Sequence, residues 1–141
     1  MKKFLALSLI FFLGFSASAQ NLSEALKKLK TYSVSDVTVS TKNSDEQVGK
    51  KTAEMLLTID KTVQLMLKEK PTQELYQELL RVAAISFEGD PSEAAGELLV
   101  PLYKRNKKDF ESALKKLPAK DAAAIKESIK NSDREYSEGN G

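Results

Sequence analysis

Two residue types that carry much of enzyme chemistry are missing, because this chain contains no histidine and no cysteine. Their absence removes the usual general base at neutral pH, every thiolate nucleophile and any metal site built from His and Cys. Ser112 and Lys115 form an S-x-x-K sequence on a predicted helix, which places a hydroxyl and an amine on adjacent turns. Acyl enzymes that use this pair also need a K-T-G strand, and the chain has no such tripeptide and no predicted sheet. We therefore interpret this pair as a chance spacing.

Four glutamates have a spacing that suits a cation, since Glu74 with Glu78 and Glu93 with Glu97 each lie one helical turn apart. Helical di-metal sites combine glutamates with a histidine, and no loop of this chain resembles an EF-hand. Glu74 and Glu93 are also well placed to stabilise the positive ends of predicted helices. We therefore expect solvated carboxylates, no metal and no cofactor, and a hydrolase using carboxylates alone is the least favoured function.

Charge is distributed unevenly along the sequence. Residues 71–97 carry six carboxylates against Arg81 alone, whereas residues 104–130 carry nine cations against four carboxylates. The two segments either pack side by side and neutralise each other, or leave a basic face for an acidic protein or an anionic envelope surface. Nucleic acid is not an expected partner, because stacking surfaces interleave several aromatics and few lie near the basic run. The basic residues of this candidate partner-facing patch are Lys104, Arg105, Lys107 and Lys108.

The first residues have the three parts of a secretory signal peptide. Lys2 and Lys3 precede an apolar run at 4–15, and Ala17 and Ala19 follow at the spacing that a signal peptidase accepts. The apolar run is shorter than the roughly 20 residues that a membrane-spanning helix needs. We therefore predict a signal peptide over 1–19, cleavage after Ala19 and a periplasmic or secreted protein. Removal of two lysines from a chain with 22 basic and 20 acidic residues leaves a mature chain without net charge, and no other run is long enough to span a membrane.

The remaining sequence predicts helices separated by prolines. Residues 20–43 are expected to form a short helix and an extended linker or lone edge strand, residues 44–131 a helical domain, and residues 132–141 a flexible tail. The longest helix should begin at Ser44 or Asp45 and end near Lys70, because Pro71 forbids continuation. The predicted fold is all-α, a compact bundle of five or six short-to-medium helices or a stack of helix hairpins.

The strongest local signal is the junction at Asp90. We predict that Asp90 is a helix N-cap, with Pro91 at the first helical position and Glu93 at the third. Pro101 should kink or split the helix that follows, and Asp109 should cap the next one.

Together these features favour a non-enzymatic protein of the bacterial envelope or exterior that binds another protein, as an inhibitor, immunity protein or adaptor does. The oligomeric state and the partner stay open. The alternative is a carrier that holds an apolar small molecule between helices. Its lining would come from Met55, Met66, Tyr76, Phe87 or Tyr103.

Overall fold

The computed structural model describes residues 21–139, and the predicted signal peptide and its cleavage site lie outside them. Residues 21–30 form α1, which is followed by a 3-10 helix at Val34–Val37. The chain continues as α2 (Asp45–Lys68), α3 (Gln73–Gly89), α4 (Ala94–Arg105), α5 (Lys107–Leu114) and α6 (Ala119–Gly139). No strand forms among the described residues, and the predicted all-α fold is confirmed.

Helix α2 begins where the sequence predicts because Ser44 and Gln47 cap each other. Ser44 Oγ accepts from the Gln47 N–H at 3.2 Å, and Gln47 Oε1 accepts from the Ser44 N–H at 2.9 Å. The helix then turns one apolar stripe towards the core, formed by Val48, Met55, Ile59, Val63 and Met66. Helix α2 packs against α3 and α4, α3 packs against α5 and α6, and α4 packs against α6, which makes one bundle.

The segment at 33–43 is not the extended linker or edge strand that the sequence predicted. Its short polar side chains bind nearby backbone instead and fold it into the 3-10 helix and a turn. Thr38 Oγ1 donates to the Val34 carbonyl at 2.8 Å, and Asn43 Nδ2 donates to the Ser35 and Thr38 carbonyls at 3.0 Å each. Val37 is buried, so the segment closes one end of the core.

The junction after α3 also differs from the prediction, because Asp90 ends α3 and Glu93 is the N-cap of α4. Glu93 has a left-handed backbone with φ 54°, which bends the chain sharply before Ala94. Asp90 still binds the start of α4 from outside the helix. Its carboxylate accepts from the Ala94 N–H at 2.9 Å and from the Ser92 N–H at 3.0 Å. The role of the Asp90 carboxylate was predicted correctly, but the helix boundary and the position given to Glu93 were wrong.

Other helix ends shift by a few residues. Asn106 and not Asp109 is the N-cap residue of α5, and its side chain makes no capping hydrogen bond, while Asp109 lies in the first turn. Helix α4 continues through Pro101 without a split. Helix α6 continues to Gly139, past residue 132 where the sequence predicted a flexible tail. Within residues 21–139 no helix combines the length and apolar character that crossing a membrane requires.

Helix α1 is held to the bundle at its carboxyl end by Arg81 of α3. The guanidinium donates from Nη2 to the Leu29 carbonyl and from Nη1 to the Tyr32 carbonyl, each at 2.9 Å. These carbonyls lie at the negative end of α1, where a cation is stabilising. Glu78 holds the guanidinium in place by accepting from Nε at 2.8 Å. Leu29 and Tyr32 are buried as a result.

Helices α4 and α6 make a close contact at Gly96 and Ser128. A Cβ placed on Gly96 would lie 2.7 Å from Ser128 Cβ and 3.0 Å from the Ser128 backbone carbon. Only glycine permits this approach without displacing a helix backbone. Ser128 Oγ also donates to the Glu93 carbonyl at 3.2 Å. The contact between α4 and α6 therefore also holds the residue whose left-handed backbone starts α4.

We predict that Gly96→Ala destabilises the domain by about 1–3 kcal/mol, the usual cost of forcing extra volume into a packed contact. Gly49 of α2 is the matched control, because a Cβ there meets no atom within 4 Å. Gly49→Ala should stabilise the domain by about 0.5–1 kcal/mol through helix propensity. Urea unfolding measures both changes. Equal effects of the two substitutions would contradict the close approach of α4 and α6.

A second prediction concerns Asp90. Its partial burial, the largest influence, raises the pKa, but hydrogen bonds from Ser92 and Ala94 outweigh it and leave the pKa below 3.8. Asp90→Ala should therefore cost about 1 kcal/mol at neutral pH. Because the folded pKa is lowered, this stabilisation is present above the unfolded pKa and disappears as the pH falls through the folded value.

Denaturant midpoints of the wild type and Asp90→Ala, measured from neutral to acidic pH, test the Asp90 prediction. Asp60→Ala is the control, since Asp60 forms no hydrogen bond or ion pair among the described residues. A difference between wild type and Asp90→Ala that stays constant with pH would contradict the role given to the carboxylate.

Candidate functional site

The four residues of the predicted basic patch lie on both sides of a single-residue break between helices. Lys104 and Arg105 end α4, while Lys107 and Lys108 begin α5. Asn106 joins them by ending one helix and starting the next. Its N–H donates to the Leu102 carbonyl at 3.1 Å, and its carbonyl accepts from the Phe110 N–H at 3.1 Å. The four cations therefore lie close together in the chain but on two different helices.

Lys107 faces a groove between α5, α6 and the end of α4. Tyr103, Leu114 and Ile129 form its apolar floor, and the groove encloses about 470 Å³. Charged side chains of both signs form its rim: Lys107, Glu111, Lys126, Lys130 and Asp133. These eight residues are called the cationic groove below. Arg105 and Lys108 are exposed next to the groove and do not line it.

The Tyr103 ring in the floor of the groove is held by two contacts. Its ring meets Phe110 edge to face, with centroids 5.3 Å apart and an interplanar angle of 75°. Phe110 is fully buried, which anchors the half-buried Tyr103 ring from below. The Lys107 ammonium lies 5.4 Å from the Tyr103 centroid on the ring face, a cation–π contact. A rigid aromatic surface with a cation beside it suits an apolar group that carries a nearby negative charge.

The lysines of the rim keep their charges available. Within the described structure, Lys107, Lys126 and Lys130 form no ion pair. Lys104 does not line the groove, and its Nζ lies 2.7 Å from Asp133 Oδ1. The three lysines that line the groove share it with two carboxylates, those of Glu111 and Asp133. The groove has a local excess of positive charge in a chain that is nearly neutral overall.

The acidic segment does not neutralise this excess. No ion pair among residues 21–139 joins 71–97 to 104–130. Glu74 binds Lys30 of α1 at 2.6 Å, and Glu78 binds Arg81. The acidic and basic segments pack through their apolar faces and direct their charges outward. The interpretation in which they pair internally is not supported, and the exposed basic face remains.

The other candidates do not assemble into sites. Ser112 Oγ donates to the Lys108 carbonyl at 2.9 Å, and neither Ser112 nor Lys115 is buried. Glu74 and Glu78 form ion pairs with Lys30 and Arg81. Within residues 21–139 no cluster of metal-ligating side chains joins them to Glu93 and Glu97. Three of the residues proposed to line a carrier cavity fill the core instead, at 0–2% exposure: Met55, Met66 and Tyr76. Phe87 and Tyr103 are partly buried against that core.

Sequence reasoning identified Lys107 and the neighbouring Lys104 but missed the half of the groove on α6. Lys126, Ile129, Lys130 and Asp133 recur at intervals of three and four residues, which places them on one face of a helix. The sequence alone shows this spacing. Nothing local indicates that this face lies beside Tyr103, because α4 and α6 are joined only through tertiary contacts.

No protein-family model, curated protein or solved structure matches this chain. The class of site therefore rests on its geometry: a surface groove with an aromatic and aliphatic floor and a lysine-rich rim on a small helical bundle.

Proposed function

We propose that this protein is an exported, non-enzymatic binding protein that engages an acidic segment of another protein through the cationic groove. The observation that carries the proposal is the convergence of Lys107, Lys126 and Lys130 around a preformed apolar floor, with no ion-pair partner in the described structure. Scattered surface lysines are ordinary, but lysines from two helices that surround one apolar depression are not.

The two parts of the groove would act differently in binding. The lysine rim would attract an acidic segment over distance, and this attraction weakens as salt screens the charges. The floor of Tyr103, Leu114 and Ile129 would supply affinity by burying an apolar side chain of the partner. An acidic protein segment offers both features at once. We therefore favour a protein partner over a simple anion.

A carrier of an apolar molecule is the alternative function, and no observation favours it. It needs open space between helices next to the core side chains. Met55 and Tyr76, which would line that space, are 0% and 1% exposed and pack against other core residues. The cationic groove contains Tyr103 from that set, but lysines and carboxylates surround it.

The experiment is capture of binding proteins from envelope extract at low and high salt, with purified protein immobilised as bait. The groove variant replaces Lys107, Lys126 and Lys130 by Gln. The control variant replaces Lys27, Lys42 and Lys70 by Gln, three exposed lysines elsewhere that remove the same charge. We expect about tenfold weaker capture with the groove variant and little change with the control.

Thermal melts of both variants should stay close to the wild type, because exposed lysines contribute only about 0–1 kcal/mol each. The N-terminal residue of protein recovered from the envelope or medium tests the export proposal, which expects Gln20. Equal capture by the groove and control variants would contradict the proposed site. Intact Met1 in a membrane pellet would contradict export.

A further inference from the structure

Of the two carboxylates that line the cationic groove, Asp133 forms an ion pair within the described structure and Glu111 does not. Asp133 of α6 lies beside Lys104 of α4, with 2.7 Å between Oδ1 and Nζ. The Oδ1 atom is shielded from solvent and makes no hydrogen bond of good geometry. The contact is therefore mainly a charge attraction, and it places a carboxylate within a groove whose rim is otherwise rich in lysine.

This ion pair is easily exchanged. The Lys104 and Asp133 side chains are 53% and 42% exposed, and pairs of such exposure contribute little net stability. Asp133 forms an ion pair with one ammonium, that of Lys104. A carboxylate that entered the groove would meet lysines from two helices, Lys107 from α5 and Lys126 and Lys130 from α6. Such a carboxylate would therefore meet more positive charge in the groove than Asp133 meets at Lys104.

We infer that Asp133 is an internal competitor, which occupies the position that a partner's carboxylate takes on binding. The inference rests on the proposed function of the groove. It also defines the partner chemistry more closely, as an acidic side chain next to an apolar one. The apolar side chain would lie on Tyr103, Leu114 and Ile129, while the acidic side chain displaces Asp133 from Lys104.

An internal competitor has a consequence that a structural ion pair lacks. Every binding event must first separate Asp133 from Lys104, which reduces the observed affinity by the population of the separated state. Removing the Asp133 charge should therefore strengthen binding. If the pair were only structural, removing that charge would leave affinity unchanged or reduce it through loss of stability.

The test uses a fluorescent, glutamate-rich peptide with central leucines as the probe, and its glutamine counterpart as the neutral comparison. Fluorescence anisotropy at low salt gives the affinity of each variant. Asp133→Asn should bind the glutamate peptide about twofold to fivefold more tightly than the wild type. Glu111→Gln is the matched control, because it removes one negative charge from the same groove without touching Lys104. Its gain should be clearly smaller.

A double-variant comparison separates competition from general charge. With Lys104→Gln as background, Asp133→Asn should give no more gain than Glu111→Gln gives in the same background. Circular dichroism confirms folding of each variant, and Asp133→Ser serves as a second variant with the same expected gain.

Unchanged affinity of Asp133→Asn, with a wild type that binds the peptide, would overturn the inference and leave the groove as a docking site. Equal gains from Asp133→Asn and Glu111→Gln would also overturn it. Absence of glutamate-peptide binding by every variant, or equal binding of the glutamate and glutamine peptides, would overturn the proposed function and the inference together.

Discussion

The contact between Gly96 and Ser128 is the constraint on which the arrangement of the site depends. Two helices that are far apart in sequence meet there with almost no side-chain volume between their backbones. Ser128 also donates to the Glu93 carbonyl, so the turn that starts α4 is held by the helix against which it packs. The carboxyl half of α4 then carries Tyr103 to the same groove as Ile129 and Asp133 of α6, and it carries Lys104 to its ion pair with Asp133. Without this close approach, the floor and rim of the groove would not belong to one surface.

Charge is separated in the structure as well as in the sequence. Two of the three carboxylates of α3 form ion pairs, Glu74 with Lys30 and Glu78 with Arg81. Arg81 uses its remaining donors to hold the carboxyl end of α1. These local pairs leave the lysines around the cationic groove without carboxylates from the acidic segment. A bundle of this kind is stabilised mainly by its apolar core, so its stability does not depend on pairing these surface charges.

The sequence predicted the features that depend on local chemistry. The start of α2 at Ser44, its end before Pro71 and the basic residues around Lys107 all follow from spacing and side-chain type. The junction at Asp90 was harder to predict. Because Glu93 adopts a left-handed backbone, the Asp90 carboxylate binds the first N–H of α4 from outside that helix. The loop before α2 was harder still to predict. Its hydroxyl and amide side chains donate to backbone carbonyls, and the spacing of residues in the sequence does not show these bonds.

The groove itself was only half predictable. Residues on α4 and α5 are neighbours in sequence, and their basic character is visible there. Packing at Gly96 brings the α6 half of the groove next to them. The role of Gly96 is clear only when its contact with Ser128 is known. A glycine in a predicted helix reads simply as a weak helix former.

The central claim is that the cationic groove is where an acidic protein segment docks, and NMR titration of the isotope-labelled protein with a glutamate-rich peptide tests it most directly. The account predicts saturable shifts of the amide signals of Tyr103, Lys107, Leu114 and Ile129, with α1 and α2 unchanged. Shifts confined to the groove between α1 and α2, which is lined by Lys28 among other residues, would contradict it.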